Sequence, residues 1–288
     1  GILLGQLAYT DTDYEQATRD DGSLIYYEEL GVSGTELLDL LAQREFFFAG
    51  SNGVPFPLGE VQMMGKPDLN LGSFAAIVGM PAMADRITTM DYSVMTGGGG
   101  FGDVNYLEVS FPDQIPDPTA TTYQTDFTML EPEYPGQQQP SDPLPTFEAL
   151  PMIAGVDSYH RGHSATSTFV MDTGAQTMIF STQMTSELGI DPEQDALGYL
   201  EVGGIGGSTL MPLVEVERLS LPTREGVDLM LTDLVVGVLD IPGISGVLGM
   251  NTLTSGYMAP VMGGMDEDGY FLRNWLDFTG EEERMLTE

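Results

Sequence analysis

A chain of 288 residues is long enough for one large domain or two of ordinary size, each with a core of its own. Its 42% hydrophobic content, with 36 glycines and 18 prolines, favours many short strands and turns over long helices. Nine basic residues, Lys66 the one lysine among them, stand against 44 acidic ones for a net charge of −35. That excess argues against nucleic acid as a partner, because phosphate is held by clusters of Lys and Arg.

The longest apolar run, from Phe74 to Ala84, is interrupted by Gly79 and Pro81. It falls short of the roughly 18 residues of a spanning helix, so a soluble chain with no membrane span is expected. A surface this acidic stays hydrated and resists association, as in salt-adapted proteins; it reads as a solvated face before it reads as an electrostatic trap for substrate. Asp266-Glu267-Asp268 is a weak calcium signal. With no cysteine there is no disulfide framework, thiolate nucleophile or sulfur-ligated metal, and no cofactor or metal is expected. The chain starts at Gly1 and not at Met, which suggests a processed or incomplete polypeptide.

Along the chain, the first glycine-punctuated element is Leu30-Gly31-Val32-Ser33-Gly34. An apolar run, Ala76-Ile77-Val78-Gly79-Met80, follows, with a helix expected after Pro81. Gly97 to Gly100 lacks the Lys and helix that follow a phosphate loop, and reads as a turn before the strand from Val104 to Phe111. Nine of the 18 prolines then fall between Phe111 and Pro151. Proline removes ladder donors and enforces extended chain, so this stretch is expected to wrap or connect, with one edge strand between Thr121 and Leu130. The expected division is a degenerate or N-terminally incomplete lobe over residues 1–111, a linker over 112–150 and a second lobe over 151–288.

In the second half, His160 and His163 lie three apart and read as a hairpin turn, since no third metal ligand accompanies them. Buried strands are expected from Thr168 to Met171 and from Leu234 to Leu239. A short helix from Gln183 to Leu188 has Ser181 or Thr182 to cap it and Gly189 to stop it. Three landmarks then repeat those of the first half in the same order: Gly203-Gly204-Ile205-Gly206-Gly207, Gly246-Val247-Leu248-Gly249-Met250, and the strand from Tyr270 to Phe278. Gly31 to Gly79 spans 48 residues and Gly204 to Gly249 spans 45; Gly79 to Phe111 spans 32 and Gly249 to Phe278 spans 29. Matching order and spacing imply two lobes of one fold.

The chemistry-bearing motif is Asp172-Thr173-Gly174-Ala175, set between the apolar runs Phe169-Val170-Met171 and Met178-Ile179-Phe180. An apolar strand fixes the carboxylate on a loop, and Gly174 permits close backbone approach where a Cβ would obstruct. Val247-Leu248-Gly249 follows Asp172 by 77 residues at its glycine, and the glycine-rich run Gly203 to Gly207 lies between them. From about Leu150 to Phe278 the chain resembles the retropepsin-like aspartic proteases. The resemblance implies Asp172 as a catalytic carboxylate, with Thr173, Gly174 and Ala175 shaping its loop. It makes Gly203, Gly204, Ile205, Gly206 and Gly207 a substrate flap, matched in the first lobe by Gly31, Val32, Ser33 and Gly34. Val247, Leu248 and Gly249 become a support beneath the loop, matched by Ile77, Val78 and Gly79.

Such a lobe implies a mechanism that needs two aspartates. Two close carboxylates share one proton; the ionised one activates a water and the protonated one donates to the peptide carbonyl. In the first lobe, counting 77 residues back from Gly79 reaches position 2, and the 173-residue offset between Gly31 and Gly204 reaches −1. The partner of Asp172 is therefore expected at or before the start of the chain, with Gly1 level with Gly174 and residues 1–4 beside the Asp172 loop. Asp11-Thr12-Asp13 lacks the glycine and reads as a solvated turn.

The fold expected is all-β, with two retropepsin-like lobes related by a pseudo-twofold around a cleft, the first lacking its N-terminal part. The expected activity is an aspartic endopeptidase acting on a peptide or protein. Its second aspartate would come from upstream of Gly1 or from a second subunit, leaving a cleaved N-terminal segment or a homo-oligomer open. The competing expectation is an inactive secreted binding or structural protein on the same fold. An extracellular or periplasmic location is expected in either case.

Overall fold

The computed structural model describes residues 2–10, 14–31, 34–71, 74–79, 86–91, 108–115, 117, 122–130, 150–175, 177–241, 243–249, 258–265 and 271–278. The chain forms two compact units. The first holds Gly1–Ala84, Glu131–Glu148 and Glu201–Leu210; the second holds Asp85–Leu130, Ala149–Leu200 and Met211–Glu288. The helix expected after Pro81, the turn at Gly97 to Gly100 and the acidic stretch Asp266-Glu267-Asp268 lie outside the described residues.

The first unit runs β1 (Ile2–Leu4), α1 (Gln6–Thr10), β2 (Tyr26–Gly31), β3 (Gly34–Ala49), β4 (Pro55–Gly65) and β5 (Ala76–Val78). These strands form one sheet in the order β2-β3-β4-β1-β5. Strand alternation drives its core: Ile25 and Tyr27 from β2 and the residue before it, Leu38 and Leu40 from β3, Leu3 from β1 and Met64 from β4 pack with Leu69. Burying each such large apolar side chain contributes about 1.5–3 kcal/mol. The three residues of β1 are short for a strand, yet all are buried, because β4 pairs with one edge and β5 with the other.

The second unit contains β6 (Thr88–Asp91), β7 (Glu108–Ser110), β8 (Thr122–Asp126), β9 (Thr128–Leu130), β10 (Leu150–His160) and β11 (His163–Met171). It continues with β12 (Ile179–Phe180), α2 (Thr182–Glu187), β13 (Gly198–Gly204), β14 (Gly207–Leu221), β15 (Leu229–Val238), β16 (Gly246–Leu248), β17 (Met258–Met265) and β18 (Phe271–Phe278). One sheet has the order β13-β14-β15-β12-β16-β11-β10-β9, and another has β7-β6-β17-β18-β8. The tip of the β13–β14 hairpin, Glu201–Leu210, belongs to the first unit.

Local signals held well in this half. Helix α2 is capped by Ser181, whose Oγ accepts the Met184 N–H at 3.2 Å, and is followed by Gly189 at φ +70°. His160 and His163 pair across a tight turn at Arg161 and Gly162, as expected of a hairpin. The proline-rich stretch differs from expectation. It supplies two strands, β8 and β9, each at the edge of a different sheet. Pro151 lies within β10 beside Met129, and β6 and β7 join β17 in the second unit, although the sequence division placed them with residues 1–111.

The order β2-β3-β4-β1-β5 is matched, strand for strand, by β13-β14-β15-β12-β16. Registers agree as well: Leu3 pairs with Ile77 and Leu4 with Ala76, while Ile179 pairs with Val247 and Phe180 with Gly246. The Gly5 N–H bonds to Ala75 O, as the Ser181 N–H bonds to Ser245 O, both at 2.9 Å. Leu3 thus occupies the place of Ile179, and Ile2 that of Met178. The sequence count, which set Gly1 level with Gly174, is displaced from this pairing by three residues. Gly1 itself is outside the described residues; residues 2–4 form β1 of the first unit, and Asp172 belongs to the second.

Candidate active site

Strand β16 runs between β11 and β12, parallel to the first and antiparallel to the second. The chain leaving β11 must therefore cross the end of β16 before it enters β12, and Asp172 lies at that crossing. The Asp172 N–H bonds to Leu248 O at 3.1 Å, continuing the ladder one residue past β11. The Ala175 N–H returns to Asp172 O at 3.3 Å and closes the turn. The Gly174 N–H donates to Asp172 Oδ1 at 2.8 Å, so the carboxylate is aimed by its own loop while remaining exposed. That bond engages Oδ1 and leaves Oδ2 available to a reactant.

The floor of this loop is built from Val247, Leu248 and Gly249. The first two are buried between β11 and β12. A Cβ on Gly249 would lie 2.3 Å from Thr177 O and 2.9 Å from Ala175 O, so the loop can rest on that residue only while it has no side chain. Gly246, which motif reading left out of the site, is equally constrained: its Cβ would meet the Phe169 ring at 2.2 Å. Phe169 in turn packs edge-on against Phe180 at 5.3 Å. Thr173 is half-buried, with no side-chain hydrogen bond among the described residues.

The glycine-rich run is a hairpin end. Strand β13 stops at Gly204, Ile205 and Gly206 make the turn, and β14 starts at Gly207. Gly206 has φ +88° and Gly207 φ +119°, which glycine accepts without strain; a Cβ on Gly203 would meet nothing. In the first unit Gly31 and Gly34 pair at the end of β2 and β3, and Val32 and Ser33 between them are outside the described residues. The two glycine runs meet: a Cβ on Gly31 would lie 1.9 Å from Ile205 O, and one on Gly206 2.8 Å from Gly34 N. The Ile205 side chain packs against the first unit's core cluster.

The first-unit counterparts of the floor differ in burial. Ile77 is exposed, and Val78 and Gly79 are half-buried. Two polar groups near the first hairpin escaped sequence reading. Tyr9 donates to Asp39 Oδ2 at 2.6 Å, and Gln16 Nε2 reaches Asp39 Oδ1 at 3.2 Å; burial, with the Asp39 bond adding to it, pushes the Tyr9 hydroxyl up to about 12. Glu29 lies two residues before Gly31, and burial raises its carboxyl to about 7. The alternation Ile25, Tyr27, Glu29 was the signal that pointed it inward. Among the described residues no cluster of His, Asp and Glu suits a metal ion, and no helix is long and apolar enough to cross a membrane.

Residues 157–252 match the family described as aspartyl protease. No curated protein sequence matches the chain. Among solved structures, the chain is similar to a retropepsin-like aspartic protease from Rickettsia conorii, at 16% identity over 43% of this chain and 91% of that one, with a TM-score of 0.27. It is also similar to Basic 7S globulin from soybean, at 10% identity over 97% of this chain and 85% of that one, with a TM-score of 0.47. The matched segment holds both the Asp-Thr-Gly-Ala loop and β16, on which that loop is seated, so the similarity to the aspartyl protease family is carried by residues 157–252.

Proposed function

We propose that the chain is the Asp172-bearing part of an aspartic endopeptidase that hydrolyses peptide bonds through an Asp-activated water. The observation that carries this reading is the exposed Asp172 carboxylate, fixed by the Gly174 N–H on a loop that Leu248 and Gly249 brace from below. A single aimed carboxylate supplies half of the chemistry. The other half is a second carboxyl close enough that the two share a proton, one activating the water and the other donating to the carbonyl oxygen. In this reading it comes from residues upstream of Gly1 or from a second subunit. The matched strand orders support treating the two halves as copies of one fold.

Cleavage of an unfolded protein substrate at acidic pH, with and without a transition-state inhibitor of aspartic peptidases, tests the reading. Asp172→Asn should abolish inhibitor-sensitive cleavage while the melting temperature stays within about 1–2 °C, since the amide keeps the shape but cannot hold the shared proton. Undiminished cleavage by that variant would sink the assignment.

One observation favours a second reading, an inactive binding or structural protein on the same fold. Ile205 at the hairpin tip is packed into the first unit's core cluster, a tie that a substrate-admitting flap has to break. In that case the inhibitor binds nothing and no substrate is cleaved under any condition. Both readings carry an extracellular or periplasmic location as a proposal, supported by the acidic composition.

A further inference from the structure

Ile25, Tyr27, Glu29 and Gly31 alternate along β2 and its entry, so they face one side of the sheet. The tip of the β13–β14 hairpin lies on that side. The Ile205 side chain packs against the cluster that holds Ile25 and Tyr27, and a Cβ on Gly31 would run into Ile205 O. Gly206, at φ +88°, sits so near Gly34 that a Cβ would lie 2.8 Å from the Gly34 N and O. The tips interlock in this way only because Gly31 and Gly206 carry no side chain. Residues 201–210 belong to the first unit, so the tip is part of that unit's own cover.

Glu29 stands between the apolar cluster and the contact at Gly31, with Oε2 buried and without a hydrogen-bond partner among the described residues. A neutral carboxyl tolerates such a place far better than a carboxylate, which needs water or a cation. The charged and titratable groups nearby leave that need unmet. Glu36, opposite on β3, is already engaged by Lys66, which also reaches Asp68. On its own strand Tyr27 offers a hydrogen bond, and the terminal ammonium acts by charge, but burial outweighs both. Glu201, the acidic residue of the tip, is exposed and accepts from Ser208 Oγ at 2.9 Å. Asp39, held by Tyr9, pairs with Tyr26 and so faces the other side of the sheet. Water can reach Glu29 if β2 leaves β3 or if the tip lifts. The first breaks the whole ladder from Tyr26 to Gly31; the second displaces one isoleucine and a glycine turn, and is the smaller opening.

We propose that the Gly203–Gly207 tip is a latch operated by Glu29: the neutral carboxyl lets it close on β2, and the carboxylate drives it off. Burial lifts the Glu29 carboxyl to about 7 in the closed form, so closure is complete below its ordinary 4.5 and is lost as pH rises through about 7. Any consequence for substrate entry rests on the peptidase reading above, in which this hairpin is the flap; the latch itself does not.

The chain has no cysteine, so Thr35→Cys on β3 and Ser208→Cys on β14, both at exposed positions, take one spin label each. Pulsed electron-spin distances should show the ratio of closed to open tip falling by at least about tenfold between about pH 5 and about pH 8. The open form should be longer by about 5 Å or more, one strand spacing. Circular dichroism should stay unchanged over the same range. Glu29→Gln in the labelled chain should remain closed at both pH values; where that variant does not fold, Glu29→Met, apolar like the rest of its face, takes its place. Identical distance distributions at the two pH values overturn the proposal. So does a lengthening that the neutral variant retains, or one that comes with loss of the sheet signal. Asp172→Asn should leave the response as it is. A response without cleavage upholds the latch and counts against the peptidase reading, and cleavage without a response does the opposite, so the two fail separately.

Discussion

Glu29 lies on the face of β2 that sends Ile25 and Tyr27 into the core, and it carries a carboxylate where its neighbours carry apolar groups. Burial is the main cause of its rise from an ordinary 4.5 to about 7, and a hydrogen bond from Tyr27 offsets part of it. Its Oε2 is buried with no hydrogen-bond partner among the described residues. Glu36, opposite on β3, is already paired with Lys66 at 2.5 Å. The folded protein therefore holds the Glu29 proton more tightly than the unfolded chain does. The resulting stability is complete below the ordinary value of 4.5 and is lost as pH rises through about 7. The loss is at most about 3–4 kcal/mol, at about 1.4 kcal/mol per pKa unit. Glu29→Gln should keep the stability that the native chain loses over that interval. Denaturant titrations of both chains from acid to neutral pH check it, and a pH-independent difference between them would refute it. Asp172 was legible in the sequence because its motif and flanking strands are local; Glu29 was not, because a carboxylate reads as surface until its strand face is assigned.

Gly249 and Gly203 make a matched contrast at the scale of the element. Both fall in glycine-marked runs, and the sequence gives no means of ranking them. In the fold, Gly249 sits under the Asp172 loop with 2.3 Å between its Cβ position and Thr177 O, whereas Gly203 faces open space. Gly249→Ala must push the loop away from β16 and should cost about 1–3 kcal/mol, as over-packing in a close-packed site does. Gly203→Ala should leave the melting temperature within about 1 °C, because it adds only a methyl group in the open. Thermal melts of the two variants decide it; equal effects would mean that the β16 support does not hold the loop. The same distinction separates what was legible from what was not. Helix α2 was readable from Ser181 and Gly189, since caps act within one turn. Strand β1 was invisible, because three residues become a strand only through β4 and β5, some sixty and seventy positions away. Strands β8 and β9 were half-visible inside a stretch whose prolines suggested a plain connector.

For the whole molecule, composition was the most legible property and the unit boundaries the least. Strands β6 and β17 pair although they come from opposite halves of the chain, so a division read along the sequence could not place them. The net charge of −35 acts on both units regardless of that division. Among the described residues the basic groups offset little of it: Lys66 pairs with Glu36 and Asp68, Arg161 with Asp195 at 3.9 Å, and Arg224 with Asp126 at 3.1 Å, most of them well exposed. Exposed pairs like these contribute about 0–1 kcal/mol each. Repulsion among the remaining carboxylates therefore opposes the compact state, and it weakens as the Debye length falls from about 30 Å at 0.01 M salt to about 3 Å at 1 M. The melting temperature at neutral pH should rise steadily with sodium chloride over that range, by about 2–4 °C for each kcal/mol of repulsion removed. The dependence should shrink near about pH 4, where protonation has already neutralised many carboxylates. Melts across a salt series at the two pH values check both parts. A melting temperature indifferent to salt at neutral pH would show that the acidic surface is solvated well enough to cost nothing, and would remove charge repulsion from the account of this protein's stability.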